Sequence, residues 1–331
     1  MILKINSMNV LSLFDGMSCG QIALNKAGVK YDNYFSSEID KYARQIAHKN
    51  YPNTKFVGDV EQVTAEQLLK VVPKIDLLIG GSPCQGFSFA GHQLNFEDPR
   101  SKLFFEYVRL LKELKPKYFL LENVKMKKES MDIITEYLGV EPIEINSSLV
   151  SAQNRKRLYW TNIPNIGTLE DKGLVLADVL EDGYATKEMT NVDGKAHCLT
   201  ARYNGAVWWN SIDRKQRTMV LKYDAKDDAK LSNDGLIRAG TASTIKGHDS
   251  VKRVYAKMGK APTLTTMQGG HRQPKVAMTS DMWRKLTPVE CERLQTVPDG
   301  YTDGVSNSQR YKMLGNGWTA DVIAHIFKNL K

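Results

Sequence analysis

Residues 75–91 read IDLLIGGSPCQGFSFAG, and the parsing of this stretch decides the fold. The apolar run Ile75–Ile79, closed by Gly80 and Gly81, has the composition of a strand buried on both faces, as in a parallel sheet. The chain then breaks at Gly80-Gly81-Ser82-Pro83 and presents Cys84 in a loop of small and polar residues. Open α/β sheets bind ligands outside the carboxyl ends of their strands, which is where this cysteine falls. Pro83 stiffens the approach by fixing its own φ, and Gly81 and Gly86 permit a close backbone path. A buried structural cysteine is the competing reading. A Cys between Pro and Gln in a Gly-rich loop favours a nucleophile.

Upstream, Asn9–Phe14 reads as a strand, followed by the turn Asp15-Gly16-Met17-Ser18-Cys19-Gly20 and a helical pattern through Ala27. Strand, Gly-containing turn and helix make the first unit of a nucleotide-binding α/β sheet. The turn is not G-x-G-x-x-G, which lowers a dinucleotide reading. A second strand, Asn33–Ser37, ends at Glu38, placed to accept from a ribose diol. Residues 56–60 (FVGDV) supply a third strand end carrying Asp59, which suits either an adenine amine or a helix N-cap. Downstream, Ser101–Leu114 shows a broad apolar helical stripe, and Tyr118–Leu121 is a buried strand that delivers Glu122-Asn123-Val124. Strand tips thus present Glu38, Asp59, Cys84 and Glu122 in succession.

The chain has 331 residues, 46 Lys and Arg against 37 Asp and Glu, and a formal charge of +9. That length suits two domains, and the basic balance suits a polyanionic partner. Four scattered cysteines (Cys19, Cys84, Cys198, Cys291) argue against a zinc site and a disulfide framework, and fit a reducing cytosol. No segment approaches 18 continuous apolar residues, so a cytoplasmic enzyme is expected.

Gln153-Asn154-Arg155-Lys156-Arg157 leads into Leu158-Tyr159-Trp160, and its alternating arginines point to one side of an extended segment. Next to a buried run, such cations need anionic or polar partners. From about Thr161 to Ser280 the αβ rhythm disappears; 18 Lys and Arg face 13 Asp and Glu there. Ala196-x-x-Leu199-Thr200 with Gly205 matches Ala261-x-x-Leu264-Thr265 with Gly270, which reads as two similar strand-to-loop elements on a small β-rich domain. Trp208, Trp209, Arg214, Lys215 and Arg217 mix aromatics with cations as nucleic-acid surfaces do. Thr287-Pro288-Val289-Glu290 is a capping-box helix start, and Gly315-Asn316-Gly317-Trp318 is a turn feeding a last amphipathic helix.

In this order the chain resembles the C5-cytosine DNA methyltransferase family, through FDGMSCG (14–20), Glu38, GDV (58–60), GGSPCQGFS (80–88), ENV (122–124), QNRKR (153–157), RKLTPVECERLQTVP (284–298) and GNGW (315–318). QNRKR and LTPVECERLQ are similar to bacterial and phage members; FDGMSCG, with Ser18 and Cys19 where paired glycines are common, is similar to the mammalian de novo methyltransferases. The resemblance implies a Rossmann-like, S-adenosylmethionine-dependent methyltransferase sheet formed by residues 8–164 and 281–331, with a smaller β-rich target-recognition domain at 165–280. It implies Cys84 as the nucleophile at cytosine C6, Glu122 at N3, and Arg157 at O2 with Arg155 in support. For the cofactor, whose product is S-adenosylhomocysteine, it implicates Phe14, Asp15, Gly16, Gly20, Glu38, Ile39, Asp59, Val60, Pro83, Asn316 and Trp318. Gln85, Ser88, Arg202, Gln268 and Arg272 are expected to meet DNA, with no metal and a monomeric enzyme acting on a flipped-out base in duplex DNA. Three rivals remain: a transfer-RNA methyltransferase of the same fold, a catalytically inactive methyltransferase-like binding protein, and a nicotinamide-dependent dehydrogenase.

Overall fold

The protein is described as a computed structural model covering residues 8–82, 102–174, 176–181, 195–199, 201, 214, 216–222, 238–241, 248–249, 253–256, 275–277 and 282–330. The chain divides into two compact units. The first is Met1–Val179, Lys195–Gly205 and Thr287–Lys331; the second is Leu180–Gly194 and Ala206–Leu286.

The first unit holds the sheet. β1 (Met8–Leu13), β2 (Tyr31–Ser37), β3 (Lys55–Phe56), β4 (Leu77–Gly80) and β5 (Tyr118–Val124) run parallel. β7 (Lys156–Thr161) returns antiparallel to β5, and β6 (Ile143–Asn146) antiparallel to β7, giving the order β3-β2-β1-β4-β5-β7-β6. The buried strand expected at 75–79 is the central β4, whose four residues are all buried. The strand order reverses between β1 and β4, so their carboxyl ends flank the switch point at which such sheets take ligands.

Helices α1 (Cys19–Ala27), α2 (Lys41–Asn50), α3 (Ala65–Leu69), α4 (Lys102–Leu114) and α5 (Lys128–Leu138) connect the strands. The stripe read in α4 is the face that packs: Phe104, Tyr107, Val108, Leu110 and Leu114 are buried with Leu11, Leu78, Leu121 and Trp160. Trp160 resolves its one polar atom by donating to Thr135 Oγ1 at 3.0 Å. Thr287 and Glu290 close the expected capping box at the head of the helix Pro288–Leu294, at 3.2 and 2.7 Å. Asn307–Asn316 and Ala320–Phe327 are the last two helices.

Three expectations shift. The strand read at 56–60 shrinks to the two residues of β3, because Gly58 turns to φ +84° and leaves the ladder. The first copy of the internal repeat sits in the first unit. Ala196 N donates to Ala152 O at 2.6 Å, and Asn154 N to Ala196 O at 2.7 Å, so its main chain pairs with the approach to β7. The second copy, 261–270, lies outside the described residues, as do Trp208, Trp209 and Lys215. Residues 165–179 also belong to the first unit.

In the second unit β8 (Met219–Lys222) pairs antiparallel with β12 (Met282–Lys285). β10 (Arg253–Ala256) pairs antiparallel with β9 (Arg238–Thr241) and parallel with β11 (Lys275–Ala277). Among the described residues no helix is long and apolar enough to cross a membrane, and no group of three His, Cys, Asp or Glu could hold a metal ion.

Candidate active site

The carboxyl ends of β4 and β5 carry the most demanding chemistry. In the β5–β7 register Glu122 faces Tyr159, and Arg157 lies two positions along, opposite Val124. From there Arg157 Nε reaches Glu122 Oε1 at 3.0 Å. On the other side, Trp318 Nε1 donates to Glu122 Oε2 at 3.2 Å. Both oxygens of a carboxylate that is 8% exposed are therefore held by side-chain donors. Burial opposes the charge on Arg157, but Glu122, Cys198 and Tyr159 beside it hold its pKa above the ordinary arginine value. Gly81 leaves the gap in which the indole and the carboxylate meet. A Cβ there would stand 3.0 Å from both Glu122 Oε2 and Trp318 Nε1.

Asn123, quoted in its motif but given no task by sequence reading, ties this tip to the neighbouring one. Its Nδ2 donates to Ser82 O and Ser82 Oγ, both at 3.3 Å, and its Oδ1 accepts from Val124 N at 2.8 Å. Ser82 is the residue before Pro83 and Cys84. Pro83, Cys84, Gln85 and Ser88 lie outside the described residues, as do Arg202, Gln268 and Arg272.

Arg155 and Arg157 point to one side of their segment, as alternation requires: both approach Cys198 Sγ, at 3.3 and 3.7 Å. Their partners otherwise differ. Arg155 is buried and donates to the carbonyls of Leu199 (2.9 Å), Gly315 (3.3 Å) and Gly317 (2.9 Å). Those bonds make it a clamp on the GNGW turn. A buried amide pair reinforces the clamp. Gln153 Nε2 donates to Gln295 Oε1 at 3.1 Å, Gln153 Oε1 accepts from Leu199 N at 2.7 Å, and Gln295 Nε2 donates to Leu314 O at 2.6 Å. Gln153 and Gln295 were visible as members of QNRKR and RLQ; nothing in the sequence pointed to Cys198 between the arginines.

The turn after β1 is bent into the left-handed region at Phe14 (φ 56°), Gly16 (φ 58°) and Ser18 (φ 64°). Two of these are not glycine, and such strain persists only where surroundings enforce it. Asp15 does so from within. Its carboxylate accepts from Tyr34 (2.6 Å), Ser36 (2.9 Å) and Ser18, and burial raises its pKa. The Asp15 side chain thus faces the interior, where sequence reading had it contacting a ligand. Tyr301 braces the turn from outside, donating to Met17 O at 2.6 Å. Cys19 accepts the main-chain N–H of Trp318, and burial pushes its thiol up to about 12.

Glu38 ends β2 with both oxygens on main-chain donors, Gly16 N at 2.8 Å and Asp40 N at 2.7 Å; burial raises its pKa against those bonds. Ile39 beside it is 73% exposed, an apolar surface at the sheet edge. Space above Gly16 is open, since a Cβ there meets nothing within 4 Å. Gly20 has a packing reason: a Cβ would come within 2.6 Å of Ile79 Cδ1 and Tyr34 OH, so any larger residue would have to displace those two side chains. The Val60 side chain is buried in the core with Phe35 and Leu78, not on an open slot. Asp59 Oδ1 accepts from Glu61 N at 3.1 Å, a local turn bond of the kind a cap makes. Asn316 is exposed at the end of its helix.

The family model for C-5 cytosine-specific DNA methylase matches residues 8–331. The chain belongs to that family. An orphan methyltransferase of Bacillus phage SPbeta is 29% identical, with 98% of this chain and 98% of its own covered. The type II methyltransferase M.HhaI of Haemophilus parahaemolyticus is 27% identical, over 99% of this chain and 95% of its own. A crystal structure of a DNMT2 mutant from Spodoptera frugiperda shares the fold, with a TM-score of 0.66 at 19% identity over 98% and 99% of the two chains. This methylase is a DNA (cytosine-5) methyltransferase with an α/β Rossmann-like core.

Proposed function

We propose that the enzyme methylates C5 of a cytosine flipped out of duplex DNA, through a covalent adduct between Cys84 and C6. The observation that carries this reading is the Glu122 carboxyl held between Arg157 and Trp318, with the adjoining Asn123 bonded to Ser82, the residue that precedes Pro83-Cys84 in the sequence. C5 of cytosine is a poor nucleophile until C6 is attacked. Addition of the Cys84 thiolate at C6 moves electron density onto C5 and toward N3 and O2. Glu122 meets that charge by sharing with N3 the proton that the Cys84 thiol gives up, while Arg157 swings from Glu122 Oε1 to O2. S-adenosylmethionine, when bound, supplies the electrophilic methyl group that C5 takes up. Loss of the C5 proton then expels the Cys84 thiolate by β-elimination and restores the aromatic ring.

The residues of the first turn fit that cofactor. Glu38 keeps lone pairs for a ribose diol beyond its two amide bonds, Gly16 opens onto free space, and Ile39 offers an apolar surface to an adenine. Phe14, Asp59, Pro83, Asn316 and Trp318 would complete the pocket, with Asp15, Gly20 and Val60 shaping it from behind. We assign the second unit to target recognition, with its Gln268 and Arg272 and the first unit's Arg202 toward bases, and Gln85 and Ser88 at the flipped site. The protein acts as a monomer in the cytoplasm.

Bisulfite sequencing of unmethylated, sequence-diverse duplex DNA after incubation with the protein and S-adenosylmethionine tests the reading. Protected cytosines in one short context are expected. Cys84→Ala should abolish protection while S-adenosylhomocysteine still binds; a Cys84→Ala protein that methylates would overturn the mechanism.

A further inference from the structure

Trp318 belongs to the turn expected at the cofactor, yet its indole N–H is directed at the acid of the base site. We propose that Trp318 is a positioning residue for the reaction itself. Its N–H pins Glu122 Oε2, so that Oε1 alone turns to the cytosine and carries the proton shared with N3. This rests on the reading of Glu122 given above.

The terminal torsion of a glutamate is soft, so a carboxylate with one donor removed can swing. Among the described residues two donors fix it, Arg157 on Oε1 at 3.0 Å and Trp318 on Oε2 at 3.2 Å. When Arg157 leaves for the cytosine O2, Trp318 is the donor that remains. An indole N–H cannot accept and does not titrate, so Oε2 stays an acceptor and the proton is directed to Oε1. Trp318 is itself buried and its own main-chain N–H is bound to Cys19, which removes the freedom to follow a drifting carboxylate. Gly81 is the second half of the device. A Cβ there would stand 3.0 Å from each of Nε1 and Oε2, so both would have to give by a few tenths of an ångström.

The test separates the base site from the cofactor site by leaving the cofactor out. Addition of Cys84 to C6 labilises the C5 proton, so release of tritium from duplex DNA carrying [5-³H]cytosine reads Cys84 and Glu122 without S-adenosylmethionine. Trp318→Phe keeps the ring and removes the N–H. It should slow exchange about 10- to 100-fold, the worth of one hydrogen bond to a charged group. Because exchange is read with no cofactor present, any loss of S-adenosylhomocysteine affinity caused by trimming the indole in the proposed cofactor pocket leaves this readout untouched. Gly81→Ala, whose Cβ presses on both atoms while keeping the indole, should slow exchange by a smaller factor. Combined with Trp318→Phe it should add little, because both act on the same contact. Exchange at the wild-type rate in Trp318→Phe, with weakened cofactor binding, overturns the proposal and leaves Trp318 a wall of the cofactor pocket. Should Trp318→Phe not fold, Gly81→Ala decides alone: slowed exchange supports the proposal, and the wild-type rate overturns it. A wild-type protein that neither exchanges nor methylates overturns the underlying reading, and the proposal with it.

Discussion

Glu38 and Glu122 both stand at the carboxyl ends of strands in one sheet, but different kinds of donor surround them. Glu38 is held by the main-chain N–H groups of Gly16 and Asp40, Glu122 by the side chains of Arg157 and Trp318. A main-chain donor can leave only if the chain moves; a side-chain donor can change partners by rotating a few torsions. The two arginines of QNRKR divide the same way. Arg155 grips the carbonyls of Leu199, Gly315 and Gly317, while Arg157 grips a carboxylate. Glu38 and Arg155 are fastened to backbone, whereas Glu122 and Arg157, the groups that exchange partners in the proposed mechanism, are fastened to one another.

The sharpest way to break this comparison is Glu122→Gln. Single-turnover methyl transfer should fall on the order of 1000-fold, with S-adenosylhomocysteine affinity nearly unchanged. A large loss of cofactor affinity instead would mean that Glu122 is architecture too. Next in size, Arg155→Met removes the guanidinium from three carbonyls, of which Gly317 O keeps Gln295 Nε2 and Leu199 O keeps Cys198 Sγ, and should lower unfolding stability by about 2 kcal/mol in urea titrations. Arg157→Met should cost less stability and more activity, and the reverse ranking would undo the division between the arginines. Glu38→Ala should weaken S-adenosylhomocysteine binding about 10-fold by calorimetry, while cofactor-free C5 exchange stays within about 3-fold of wild type.

The smallest effect tests the interior of the first turn. Burial raises the pKa of Asp15, so the folded state holds a proton more readily than the unfolded chain does. The stability this contributes is present at low pH and is lost as pH rises through the folded value. Asp15→Asn removes the titration, so its melting temperature should gain on wild type between pH 4 and pH 7. A constant difference across that range would place the Asp15 carboxyl in contact with solvent.

The sheet was legible because its strands are apolar runs closed by glycine or by an acidic tip, and Leu77–Gly80 leaves no other interpretation once buried. The C-terminal helix start was legible because Thr287, Pro288 and Glu290 interact locally. What was not legible depends on contacts between distant positions. The Trp318–Glu122 bond joins residues 196 apart, and that between Gln153 and Gln295 joins residues 142 apart. No local pattern encodes either. Asp15 and Val60 illustrate the opposite limit: their positions in motifs suggested ligand contact, while hydroxyl groups of β2 claim the one and core packing the other. Sequence fixes which residues stand at a strand tip more readily than which way each side chain turns.

The strained turn after β1 has a consequence for how the molecule is made. Phe14 and Ser18 are held at positive φ partly by Tyr301, whose hydroxyl reaches Met17 O across 284 residues. α1 packs against the helix Ala320–Phe327, and Lys26 pairs with Asp321 at 2.6 Å. On a ribosome these partners emerge on the order of 15 to 60 s after the turn they brace. During that interval β1 and its neighbours can assemble, but the turn lacks its brace. The earliest-translated part of the proposed cofactor site is therefore among the last to be completed, its brace arriving only with the segment around Tyr301 and Asp321.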